Sequence, residues 1–179
     1  MSSDMLMRIS DYCGVEHDKM VELGVLDSLV HYDVPLFINP KLISNCSVEE
    51  LNGADEKIVS FYRKIISLLK VTNCEDVYWK ALKKEFDFPE PSGIGLGTCM
   101  ASTDGRGLTG KIAENSLRVL KSIVDMGIEE PQMYKLLFLV QENIGVDRVS
   151  DMIGRILYSD LLQYTSNMID RLDISGYQI

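Results

Sequence analysis

A mainly α-helical fold, a compact bundle of six to eight helices with a glycine-rich loop and at most a minor extended element, is what this chain predicts. Three observations carry that expectation. Apolar residues recur at three- and four-residue steps through most of the sequence, the period of a helix with one buried face. Runs that alternate polar and apolar residues are few. Glycines and prolines fall where the stripes end. With 46% hydrophobic residues over 179 positions, the chain can bury a core as one helical domain spanning residues 1–179.

Taken in order, residues 4–13 and 17–23 read as short amphipathic helices stopped by Gly14 and Gly24. Val34-Pro35-Leu36-Phe37-Ile38 is a short apolar run closed by Asn39-Pro40, and Pro35 confines it to an extended segment or an edge. Ser47-Val48-Glu49-Glu50 has the form of a capping box, in which a serine and a glutamate three positions on serve each other's backbone N–H. The helix it opens runs to about Lys70, with Gly53 interrupting its first turn and Ile58, Phe61, Ile65, Leu68 and Leu69 as its stripe. Asn73 or Asp76 starts the next, which carries Val77, Trp79, Leu82 and Phe86 and is ended by Pro89 and Pro91.

After the glycine-rich loop, Ile112, Leu117, Leu120 and Val124 form a stripe that Gly127 ends. Pro131 opens a nearly all-apolar helix through Val140. The last helix follows Gly145 and carries Val149, Met152, Ile153, Ile156, Leu157, Tyr164, Met168 and Leu172, with Asp147 or Ser150 as its cap and Asp151 paired to Arg155 one turn on. The tail Asp173–Ile179 leaves Ile174, Tyr177 and Ile179 without an evident cover, so the chain is expected to continue into a longer protein or to dock on a partner there.

Charge and cysteine usage narrow the function. The net charge is −9, which opposes general binding to a phosphate backbone. A basic face is confined to residues 57–84, where Lys57, Arg63, Lys64, Lys70, Lys80, Lys83 and Lys84 lie, and nucleic acid could bind only through it. No apolar run is long enough to span a membrane, and the Met1-Ser2-Ser3-Asp4 start lacks the basic residues of a secretory signal. Cys13, Cys46, Cys74 and Cys99 are far apart, which fits reduced thiols and a cytoplasmic location better than a disulfide frame or a zinc knuckle.

Two stretches have more polar groups than their local structure needs. Pro91–Lys111 holds six glycines in 21 residues, and its part Gly93–Gly107 is expected to be more mobile than its flanks. Gly105–Lys111 has the spacing of a phosphate loop, but Ile112 stands where a magnesium-binding Ser or Thr is required and no apolar strand leads into Gly105. What survives is a weaker expectation, that Gly105, Gly107 and Lys111 present backbone N–H groups and a cation to an anion.

The second stretch, Gly145-Val146-Asp147-Arg148-Val149-Ser150-Asp151, is the candidate site. Asp147 and Asp151 are four apart on one helix face with Arg148 beside them. Asp147 and Arg148 are expected to be at least half buried and bonded to the glycine-rich loop or to Tyr32–Asn39. The expected ligand-binding set is Asp147, Arg148, Asp151, Gly105, Gly107 and Lys111; no catalytic residue, metal or cofactor is assigned. His31-x-Asp33 supplies too few ligands for a metal on its own.

Several of these pieces together resemble an uncharacterised family of prokaryotic hypothetical proteins. They are Leu23-Gly24-Val25, Pro35–Pro40, Phe88-Pro89-Glu90, the glycine-rich loop, and Gly145–Asp151 with Asp160-Leu161, and they cover nearly the whole chain. The most specific is the Gly-x-Asp-Arg-[Ile/Val]-Ser-Asp motif. An aspartate is common in that family where Asn39 stands, which withholds an acidic role from this position. The resemblance implies no established activity; it implies a setting on mobile elements or in antiviral defence, often within longer proteins.

Two readings of function follow. One is a helical recognition or regulatory module of a defence-type or mobile-element protein, binding a protein partner, a further domain or a small anionic ligand. The other is a metal-dependent hydrolase of nucleic acid or nucleotide, in which Asp147 and Asp151 hold a divalent ion with help from Asp33, Glu90 or Asp104. A cysteine nucleophile at Cys99 would need His17 or His31 beside it, and no sequence feature brings either there.

Overall fold

The apolar stripes become helices packed about one long central helix. The computed structural model describes residues 7–30, 32–90, 95–96, 107–132 and 144–176. Among these are eight α-helices: α1 (Ile9–Cys13), α2 (His17–Glu22), α3 (Pro40–Ile43), α4 (Ala54–Val71), α5 (Val77–Glu85), α6 (Gly110–Asp125), α7 (Val146–Ile156) and α8 (Tyr158–Arg171). Extended pairing among the described residues is limited to three isolated bridges, Arg8 with Leu29, Val34 with Leu96, and Phe88 with Leu108. The mainly helical class and the minor extended element at residues 34–39 are therefore as the periodicity predicts. The helix expected from Pro131 to Val140 falls mostly outside the described residues, as do His31, Cys99, Asp104, Gly105 and most of Gly93–Gly107.

Helix α4 sits at the centre and packs against α3, α5, α6 and α7. Its buried residues Ala54, Ile58, Tyr62, Ile65, Ile66 and Leu69 keep the three- and four-residue step, and each large apolar side chain so buried contributes roughly 1.5–3 kcal/mol. Around Tyr62 the rings of Phe61, Phe86 and Phe88 meet edge to face, with centroids 5.2–6.4 Å apart. The Tyr62 hydroxyl donates to Met152 Sδ at 2.7 Å and joins α4 to α7 inside the core. Asp76 caps α5 by accepting from the Trp79 backbone N–H at 2.8 Å.

The structure corrects three local expectations. Glu49–Leu51 is a single 3₁₀ turn capped by Val48, so Ser47 and Glu50 form no capping box; the Glu50 carboxylate instead accepts from the Asn167 side chain on α8. Helix α4 starts after Gly53, whose φ of +75° turns the chain as only glycine does freely. The C-terminal stripe is two helices divided at Leu157, although Leu161 N–H still reaches the Leu157 carbonyl across the division. The nearest glycine, Gly154, lies within α7 three residues before that break, and the apolar steps run through it.

The N-terminal elements are gathered by one carboxylate. Asp27, with 2% of its side chain exposed, accepts from Ser10 N–H at 2.9 Å and the Ser10 hydroxyl at 2.8 Å, and meets His17 Nδ1 at 2.7 Å. Burial pushes its pKa up, but the bonds from Ser10 and His17 outweigh that and hold the carboxyl below its ordinary range. A carboxylate of lowered pKa stabilises the fold above its unfolded value of about 4, and that contribution is lost as pH falls through the folded-state value. Asp27→Ala is expected to cost about 1 kcal/mol at neutral pH, a difference that shrinks in acid and is read from urea midpoints at pH 7 and pH 3.

Candidate functional site

Five separate segments meet where α7 begins, because each supplies backbone close to the next. Val34 N–H donates to the Gly95 carbonyl at 2.9 Å, joining the Tyr32–Asn39 segment to the glycine-rich loop. Phe88 N–H donates to the Leu108 carbonyl at 2.9 Å, joining the end of α5 to the approach to α6. A Cβ at Gly107 would lie 2.3 Å from the Phe88 carbonyl oxygen and 2.7 Å from Glu90 N, so only glycine lets these two strips of backbone lie this close. Helix α7 is fastened to the Tyr32–Asn39 segment by Ser150, whose buried Oγ accepts from Ile38 N–H at 2.9 Å.

The motif at the head of α7 is arranged differently from its reading as a cap. The N-cap is Gly145, and neither Asp147 nor Ser150 closes a side-chain cap bond. Asp147 Oδ1 folds back to within 2.6 Å of the place a Cβ on Gly145 would occupy, a contact that the exposed Asp147 side chain can relieve by swinging aside. Asp147 is exposed, against the expectation of half burial, and Arg148 is partly buried. The reason is helical phase. Val149, Ser150 and Ile153 take the inward face, and from there Ser150 makes the bond to the Tyr32–Asn39 segment. Arg155 lies over the Tyr158 ring at 5.6 Å, and no ion pair joins it to Asp151.

Asp151 is the perturbed group of this site. Its carboxyl is pushed up to about 6, chiefly by burial, then by the neighbouring charges of Glu90, Asp147 and Asp33, with Arg148 pulling the other way. The helix therefore brings Asp147, Arg148 and Asp151 together, and the fold adds Asp33 from the extended segment and Glu90 from the strip beside Gly107. Asp33 and Glu90 are two of the three acids whose help a shared cation would require; Asp104 lies outside the described residues. Asp33 Oδ1 is buried with no hydrogen-bond partner among the described residues.

The other candidate residues stand apart from this cluster. Lys111 is exposed on the first turn of α6. The helix start expected to attract an anion already has one, since Asp87 Oδ1 accepts from Gly110 N–H at 3.3 Å. Gly107 is explained by close packing of backbone. The basic face at residues 57–84 is largely neutralised: Lys57 pairs with Asp160, Lys64 with Glu85, Lys70 with Glu129 and Lys83 with Glu114.

Among the described residues no helix is long and apolar enough to cross a membrane. No curated protein and no solved structure matches the chain. Residues 14–178 match the family model of a domain of unknown function, DUF8370, and the chain belongs to that family.

Proposed function

We propose that the chain is a helical recognition or regulatory module whose acidic cluster of Asp33, Glu90, Asp147 and Asp151 receives a basic group from a protein partner or from a further domain. The observation that carries this reading is the convergence of Asp33, Glu90 and Asp147 from three segments on Asp151, whose carboxyl is pushed up to about 6 chiefly by burial and then by their charges. A cation brought to that face relieves the repulsion, so its binding and the ionisation of Asp151 reinforce each other. An anion would be repelled there, so the reading changes from a small anionic ligand to a cationic one at this cluster. The setting in a prokaryotic defence or mobile-element protein is part of the proposal and rests on the resemblance of Gly145–Asp151.

A second reading, a metal-dependent hydrolase using Asp147 and Asp151, is favoured by the buried Asp33 Oδ1, which a hard cation would satisfy. It stands second because no group of three or more His, Cys, Asp or Glu side chains among the described residues is set to hold an ion.

Carboxyl-detected NMR titration of Asp151 separates the two. Added oligoarginine is expected to move its pKa back toward the ordinary aspartate range, with magnesium and manganese having little effect. An unmoved pKa at saturating oligoarginine overturns the recognition reading. A metal-induced drop accompanied by cleavage of nucleic acid or nucleotide establishes the hydrolase.

A further inference from the structure

Away from the acidic cluster, an open cleft of about 610 Å³ lies between α4, the end of α5 and the C-terminal half of α7. Three cations enter it from three different elements: Lys57, Lys84 and Arg155. Its apolar floor is formed by Phe61 and Ile156, both only partly buried, over Phe88, which is 3% exposed. We propose that this cleft is a binding site for an organic phosphate of about nucleotide size, its phosphate among Lys57, Lys84 and Arg155 and its flat or apolar body on Phe61 and Ile156. The inference goes beyond the reading of the acidic cluster, shares none of its residues, and could fail or hold independently of it.

The charge arrangement supports an anion here despite the net charge of −9. Two carboxylates also line the cleft, Glu85 and Asp87, but each has a partner outside it. Glu85 pairs with Lys64 at 2.8 Å, and Asp87 accepts from Gly110 N–H at 3.3 Å. Two of the cations are held in place by packed neighbours. Lys57 bonds Asp160, whose side chain is 14% exposed, and Arg155 lies on the Tyr158 ring. Lys84 forms no ion pair among the described residues and is the cation available to a ligand.

Lys84 and Arg155 face the hollow without an ion-pair partner among the described residues while Lys57 shares its charge with Asp160, and a bound phosphate adds charge-assisted hydrogen bonds to them. The volume lies within the range of roughly 300–1,000 Å³ usual for small-molecule sites. Phosphate alone would leave the partly buried Phe61 and Ile156 uncovered; an apolar body alone would leave Lys84 unanswered.

The test uses the whole chain and four probes: adenosine monophosphate, phenyl phosphate, adenosine and inorganic phosphate. Amide NMR is expected to show saturable shifts at residues 57–61, 84–88 and 155–156 with the first two, and binding at least about tenfold weaker with the last two, since adenosine lacks the charged contact and inorganic phosphate the apolar body. Lys84→Ala and Arg155→Ala should each weaken phenyl phosphate about tenfold, while Lys80→Ala, one turn back on α5 and outside the cleft, should leave it unchanged. Lys84 is exposed, so its variant remains informative if Arg155→Ala perturbs the fold. No saturable shift in the cleft with either organic phosphate up to about 10 mM overturns the proposal, an affinity near the limit of meaning for a specific site. So does binding indifferent to Lys84→Ala, or adenosine binding as tightly as its phosphate.

Discussion

Gly107→Ala is expected to lower the unfolding free energy by about 3 kcal/mol, the upper part of the range for forcing atoms into a filled space. The added methyl would meet the Phe88 carbonyl oxygen at 2.3 Å and the Pro89 carbonyl carbon at 2.9 Å, and backbone cannot swing aside as a flexible side chain does. Relief requires the 88–90 strip to retreat, which breaks the bond from Phe88 N–H to the Leu108 carbonyl and withdraws Phe88 from the ring cluster. Urea unfolding should show a lower midpoint with an unchanged slope. Gly127→Ala is the informative comparison. Gly127 has φ of +85° with nothing within 4 Å of an added Cβ, so its cost is dihedral alone, about 1 kcal/mol. Equal losses in the two variants would show that the approach at Gly107 is looser than its geometry states.

The second large effect has the opposite sign. Asp151→Asn is expected to stabilise the fold by about 1–2 kcal/mol above pH 6. A carboxyl raised from its ordinary value to about 6 binds its proton more tightly when folded. Between pH 4 and pH 6 the unfolded chain has already released that proton while the folded chain keeps it, so stability falls as pH rises through this window and is level above it. The full difference corresponds to about 3 kcal/mol, and solvent screening of a partly exposed group reduces it to about 1–2. Wild type should therefore lose stability from pH 4 to pH 6 in guanidinium or thermal unfolding, and Asp151→Asn should lack that component. A variant less stable than wild type at pH 8 would show that Asp151 is compensated by Arg148 more fully than its raised pKa indicates.

The helices were legible because burial imposes a period on the chain, and that period survives in the letters. Ile58, Ile65 and Leu69 are found by counting alone. Tyr62 was not, since its hydroxyl looks polar until Met152, 90 residues on, comes to meet it. The division at Leu157 was invisible for a related reason: the same apolar steps serve one helix or two, and the nearest glycine, Gly154, lies inside the first helix rather than at the break. The Ser47–Glu50 pattern misled because the turn starts one residue later, at Val48, and the Glu50 carboxylate is taken by Asn167, 117 residues on.

The head of α7 was found from its density of polar residues, and Asp33 and Glu90 were named only as acids that a shared cation would need. Their approach depends on Ser150 holding Ile38 and on Gly107 admitting the 88–90 backbone, pairings across the chain that spacing does not encode. Asp87 was missed for the same reason: it lies 23 residues before Gly110, so no local spacing announces it as the internal anion of that helix start.

The three isolated bridges carry one more consequence. A protein with an open sheet edge can recruit another chain by backbone pairing, extending its ladder with little regard for side chains, and it is exposed to aggregation by the same route. Arg8 with Leu29, Val34 with Leu96 and Phe88 with Leu108 each close on themselves, and no ladder continues from them among the described residues. Among the described residues, nothing in that part of the surface offers a template to a stray strand. On the described surface, then, a contact with another molecule would fall to side chains rather than to a continued ladder, and single substitutions there could change it.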